Sequence, residues 1–237
     1  QKERLKSLRG DIHVLTLSAT PIPRTLQMAL SGVREMSIIA TPPVDRLAVR
    51  TSVGPWDPVV LAEAIRRERV RGGQVFCVCP RIEHLPRIFD RLQRIVPESR
   101  IITAHGQMPP AQLDEAMTTF GEGGGDVLLS TNIIESGIDI PSANTMIIHR
   151  ADMFGLSQLY QLRGRVGRGR QRAYAYLSID PTRLLTQNAK RRLEVMQTLD
   201  ALGAGFTLAS YDLDIRGAGN LLGDEQSGHV REVGVEL

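Results

Sequence analysis

Short apolar runs bounded by turn residues recur along the chain, at Ile12–Leu17, Met36–Ala40, Val49–Val53, Val75–Cys79, Arg100–Thr103, Val127–Leu129, Thr145–Ile148 and Ala173–Leu177. Each is the size of a β-strand. Between several of them apolar residues return every three or four positions, as a helix requires: Val59–Val70, Leu85–Val96 and Ala111–Phe120. In the second, Leu85, Ile88, Leu92 and Ile95 fall on one face. Strands alternating with helices predict an α/β fold, a parallel sheet flanked by helices. Such sheets have right-handed crossovers and gather ligands at the carboxyl ends of their strands.

The pattern breaks twice. Thr41–Pro43 ends in consecutive prolines that disfavour helix in themselves and in the residue before them, so a domain boundary is placed near residue 45. Residues 1–45 then hold a strand and a helix, Arg24–Gly32, too small to bury a core of their own. From about Thr182 a long helix begins, with Leu185, Ala189, Leu193, Met196 and Leu199 on one face, and Gly203–Gly205 ends it. The next segment, Phe206–Arg216, fits both a strand and a helix, and periodicity does not choose. The organisation is residues 1–45, 46–180 and 181–237.

The chain has 237 residues, 42% hydrophobic and 23% charged, which suits one large folded domain or a domain and a half and speaks against disorder. No stretch approaches the roughly 20 apolar residues that span a bilayer, and the opening QKERLKSLRG has no secretory core. Cys77 and Cys79 lie in an apolar strand run; alternation of side chains along a strand is read against a mutual disulfide and for small core residues. A reducing, cytoplasmic setting follows. The formal charge of +3 permits nucleic-acid binding without indicating it. Arginine supplies 26 of the 29 basic residues, and only its clustering bears on mechanism. No lysine lies between positions 6 and 190, which excludes a phosphate-cradling P-loop.

Gln161–Arg168 begins a segment with arginines at 163, 165, 168, 170 and 172. On a helix Gln161, Arg165 and Arg168 stand at i, i+4 and i+7 and converge on one point. Arginine forks match phosphate oxygens bidentately and stay charged at any working pH. A solvated basic helix is the alternative, against which the two glycines within Gln161–Arg168 argue, because each weakens a helix by about 1 kcal/mol. A second stretch, Val127–Thr131 followed by Asn132–Pro141, is a buried strand delivering a hydroxyl and then a loop with Gly137 and Asp139, as a phosphate and ribose contact requires. A third, Ser18-Ala19-Thr20, sits at a strand end, where hydroxyl residues also serve as plain helix caps. Asp114-Glu115-Ala116-Met117 imitates a magnesium box but reads as helix-surface carboxylates. Histidines 13, 84, 105, 149 and 229 have no metal-ligand spacing, so no metal site is expected. His105, before Gly106 at a strand end, is the histidine of interest.

Ser18-Ala19-Thr20, the Thr131-to-Asp139 box and Gln161-to-Arg168, in this order, resemble motifs III, V and VI of the superfamily-two helicases and translocases. Thr20-Pro-Ile-Pro-Arg-Thr-Leu26 and Gly155-to-Arg165 narrow the resemblance to the branch of RecG and the transcription-repair-coupling factors. Asp212-to-Gly228 resembles the TRG motif of that branch, a helical hairpin and loop linking hydrolysis to movement along duplex DNA. The wording of Ile133–Asn144 and Gly223–Gly228 is nearer the coupling-factor family.

The resemblance implies a second RecA-like motor lobe over about 46–180, the close of the first lobe before it, and a TRG hairpin after it, which makes Phe206–Arg216 helical. It implies that Arg165 and Arg168, with Gln161 nearby, reach the γ-phosphate of ATP, and that Gly137 and Asp139 line the nucleotide side. Thr131 touches a DNA phosphate, with His105 and Gly106 as a further DNA-facing element. Ser18, Thr20, Arg216 and Gln226 couple lobe closure to the DNA track. ATP and Mg2+ are held mainly by a first lobe outside this chain, so the fragment alone is expected to be inactive. The implied partners are double-stranded DNA and, through other domains, RNA polymerase and UvrA. A RecG-like fork-remodelling helicase and a non-enzymatic nucleic-acid-binding module are the competing readings.

Overall fold

The computed structural model describes residues 37, 47–131, 140–169, 171–198, 208, 211, 212 and 215. The expected boundary near 45, the strands at 12–17 and 36–40 and the helix at 24–32 therefore lie outside the described residues, Ser37 excepted.

Six strands, β1 (Arg50–Pro55), β2 (Gln74–Val78), β3 (Ile101–Ala104), β4 (Val127–Ser130), β5 (Ala143–Ile148) and β6 (Tyr174–Ile179), form one sheet in the order β1-β6-β5-β2-β4-β3. Every pairing is parallel. All amino ends therefore lie along one edge and all carboxyl ends along the other. The central strands β2, β4 and β5 are buried at every position, which is why they read as continuous apolar runs rather than alternating ones.

Among the described residues, the helices with defined bounds that cover the two faces are α1 (Pro58–Val70), α2 (Leu85–Ile95), α3 (Pro110–Gly121), α4 (Leu156–Arg163) and α5 (Gln187–Thr198). Asp57 caps α1, its carboxylate accepting from the backbone N–H groups of Val59 and Val60 at 2.9 and 3.2 Å, and Pro58 opens the first turn. Leu61, Ile65, Ile88 and Leu92 of α1 and α2 pack with Val75, Cys77 and Cys79 on one face. Phe120, Leu159, Leu193 and Met196 of α3, α4 and α5 pack with Phe76 and Val78 on the other. Leu208 and Ile215 join this second core, and the described residues between 208 and 215 are helical, as the resemblance implied.

Two local expectations change. Cys77 and Cys79 are free and buried as expected, but they share a face, being two positions apart. Strand pitch, about 6.6 Å over two residues, is what keeps them at the limit of disulfide reach. Burial pushes both thiols up, Cys79 to about 12, so neither is an anion at neutral pH. The helix expected from Thr182 begins at Gln187. Asp180 accepts from the N–H and hydroxyl of Thr182, closing a turn, and the Thr186 hydroxyl accepts from Ala189 N at 3.2 Å as the cap.

Candidate functional site

The arginine-rich segment departs from its expected geometry. Leu156, Leu159 and Leu162 bury one side of α4, and the helix stops at Arg163. Gly164 closes it by donating to the Tyr160 carbonyl, and Gly167 takes a left-handed backbone with φ of 72°. A side chain at 167 would press against Ala173 and Val49, with contacts of 3.1 and 3.2 Å. Of the three donors expected on one helix face only Gln161, half-buried, is helical. Arg165 and Arg168 instead project from the turn that follows. Arg165 is half-buried, and Arg168 is exposed with its Nε 3.4 Å from the Gly164 carbonyl oxygen. Contact with Ala173 and Val49, which immediately precede β6 and β1, places this turn at the amino edge of the sheet.

Arg163, read only as one of five clustered arginines, is 6% exposed. Its Nη1 donates to the Met196 carbonyl at 3.1 Å and to Thr51 Oγ1 at 3.4 Å, tying α4 to α5 and β1.

Thr131 and His105 come together at the opposite edge. Ala104 pairs with Ser130 across β3 and β4, so the two residues leave neighbouring carboxyl ends. Both are half-buried, and Gly106 beside them is exposed. The Met108 N–H donates to the His105 carbonyl at 3.1 Å, closing a turn, and His105 borders a cavity of about 290 Å³ with Ile82, Phe89 and Thr103. Gly137, Asp139, Ser18, Thr20, Arg216 and Gln226 lie outside the described residues. Asp114 and Glu115 are exposed on α3, the surface carboxylates expected of them. Among the described residues no group of three or more His, Cys, Asp or Glu could hold a metal ion, and no helix is long and apolar enough to cross a membrane.

A cluster at the carboxyl ends of β2 and β5 escaped the sequence reading. His149 meets His84 edge-on at 5.6 Å and Trp56 at 5.5 Å, and the Arg91 guanidinium lies 5.0 Å from the Trp56 ring. Burial, with His84 and neighbouring arginines, lowers the His149 pKa from 6.5 to about 4. The folded state thus binds the proton more weakly than the unfolded chain. Stability contributed by neutral His149 is complete above pH 6.5 and is lost as pH falls from there toward 4. Thermal unfolding followed across this range is expected to show His149→Gln flattening the acid-side slope; an unchanged slope places the sensitivity elsewhere.

With this geometry in view, residues 58–170 match the model of the helicase conserved C-terminal domain. The transcription-repair-coupling factors of Rickettsia bellii, Myxococcus xanthus and Escherichia coli are 59%, 61% and 53% identical over 100% of the chain. Residues 58–170 are thus similar to a helicase C-terminal domain, and the chain as a whole is similar to the coupling factors. It spans about a fifth of these relatives, 21%, 20% and 21% of their lengths. A solved structure of RecG bound to a three-way DNA junction is 39% identical, with a TM-score of 0.66, over 85% of this chain and 27% of that one. Dbp5 of Saccharomyces cerevisiae bound to RNA and ADP BeF3 has a TM-score of 0.58 at 19% identity, over 82% of this chain and 51% of that one, a likeness of fold. The helicase lobe is thus a RecA-like parallel sheet flanked by helices.

Proposed function

We propose that this chain is the second motor lobe of an ATP-dependent double-stranded DNA translocase that displaces stalled RNA polymerase and couples transcription to excision repair. The observation that carries this reading is likeness to transcription-repair-coupling factors over the whole chain, tail included. On this reading residues 46–180 are the lobe proper, residues 1–45 close the first lobe, and residues 181–237 form the TRG hairpin.

The groups present fit a nucleotide's phosphates. Arg165 and Arg168 leave a turn at the amino edge, and Arg168 is exposed enough to reach across to a second lobe. ATP, when bound between the lobes with Mg2+, supplies the free energy of phosphoryl transfer, and the first lobe holds most of both. This chain's arginines orient and neutralise phosphate oxygens with Gln161 nearby, and by resemblance Gly137 and Asp139 are assigned to the nucleotide side. Thr131, His105 and Gly106 at the carboxyl edge contact DNA phosphates, which carry no sequence information; binding is therefore nonspecific and weakens steeply with salt. Ser18, Thr20, Arg216 and Gln226 transmit lobe closure to the DNA track. RNA polymerase and UvrA engage other parts of the parent polypeptide, in the cytoplasm.

Arg216→Ala in the full two-lobe protein is expected to leave DNA-stimulated hydrolysis intact while stopping translocation, read by displacement of a triplex-forming strand. Normal displacement refutes the coupling role. Displacement of a stalled polymerase by the parent protein separates this reading from fork remodelling: fork regression without polymerase release favours the RecG-like alternative.

A further inference from the structure

Beneath the arginine-bearing turn lies a charged network that the proposed function does not use. Glu68, on the apolar stripe of α1, is 0% exposed. It accepts from Arg71 Nη2 at 2.5 Å and Nε at 3.2 Å, and from Thr145 Oγ1 at 2.6 Å. A side chain at Gly73 would run into the Glu68 carboxylate, so the carboxylate fills the space that glycine leaves. Arg71 also reaches out of this pocket. Its Nη1 donates to the Arg172 carbonyl at 3.1 Å, at the exit of the turn that carries Arg165 and Arg168. Arg67 lies over the Tyr174 ring at 4.0 Å and donates to the Tyr176 hydroxyl at 3.1 Å, bracing the start of β6 from the same helix.

Net stability alone is a poor reason for such a pair, because a buried ion pair is often matched by apolar residues of equal volume. A fork gripping a buried carboxylate with two nitrogens and a loop carbonyl with the third is a rigid connection. We propose that Glu68 and Arg71 are positioning residues, a strap that fixes the exit of the turn at Arg172 and so sets the aim of Arg165 and Arg168. This inference rests on the reading that those arginines serve the nucleotide. Lysine at 71 keeps the charge opposite Glu68 but, being a single ammonium, cannot span carboxylate and carbonyl in the same geometry.

The test compares Arg168→Ala, Arg71→Lys and the double variant Glu68→Gln/Arg71→Met in the full two-lobe protein. It measures kcat and KM for ATP with DNA present, DNA affinity and the thermal midpoint. Arg71→Lys is expected to lower kcat roughly tenfold to a hundredfold, the scale of a misaimed group, with KM and DNA affinity unchanged. The double variant removes both charges; it keeps the parent's midpoint and yet stays as slow. A parental kcat in Arg71→Lys, or rates that simply follow the midpoints, makes the network structural and overturns the strap. Should the double variant not fold, Arg71→Lys decides. An active Arg168→Ala fells the functional reading and the strap with it, whereas an inactive Arg168→Ala beside a fast Arg71→Lys fells the strap alone.

Discussion

Arg168→Ala is expected to abolish ATP hydrolysis by the two-lobe protein while leaving its affinity for duplex DNA unchanged. An arginine that neutralises charge on a transferring phosphoryl group is worth on the order of 10³ to 10⁵ in rate, about 4–7 kcal/mol. An exposed ion pair is worth about 0–1 kcal/mol, so the size of the loss distinguishes the two roles. Truncation does not endanger the fold, because Arg168 is exposed on its turn. On the proposed reading DNA affinity is spared, because Thr131 and His105, the residues assigned to DNA, leave the sheet at the other edge. Steady-state hydrolysis and fluorescence anisotropy on a labelled duplex check both halves. Surviving hydrolysis with weakened binding would mean that the arginines merely grip phosphate, as in a non-enzymatic binding module.

Gly73→Ala is expected to destabilise the lobe by about 3–5 kcal/mol, the cost of breaking a buried charged pair. The added methyl displaces the Glu68 carboxylate, which cannot swing to water from a site that is 0% exposed. Neighbouring Gly72 is the control. It has φ of 71° and open space around it, so Gly72→Ala carries backbone strain alone, about 1–2 kcal/mol. Urea unfolding of the two variants measures the difference; equal midpoints would show that Glu68 relocates freely.

The sheet was legible because fully buried parallel strands are written as unbroken apolar runs, and α2 because Leu85, Ile88 and Leu92 repeat at helical spacing. The arginine turn was misread for an equally physical reason. Spacing places Gln161, Arg165 and Arg168 on one helical face, but it is blind to the left-handed backbone at Gly167 and to the close approach of Ala173 and Val49 that keeps a side chain out. Helix propensity counts each glycine only as a cost, whereas here Gly164 caps the helix and Gly167 turns the chain away from it. Arg163 and Glu68 carried a signal that went unused. Arg163 stands seven residues after Leu156, and Glu68 seven after Leu61, so each is a charge on the buried stripe of its helix. Their partners, the Met196 carbonyl and Thr145, come from distant parts of the chain that pattern alone does not bring together. Ser18, Thr20, Gly137, Asp139, Arg216 and Gln226 lie outside the described residues and rest on resemblance.

Because all six strands run the same way, the turn bearing Arg165 and Arg168 stands a strand's length from Thr131 and His105, on the order of 15–20 Å. No side chain is long enough to feel both. If one end answers to nucleotide and the other to DNA, news of hydrolysis travels as a tilt of the entire slab, as a rocker arm carries a cam's lift to a distant valve. The parallel slab is then the mechanical link between the two ends.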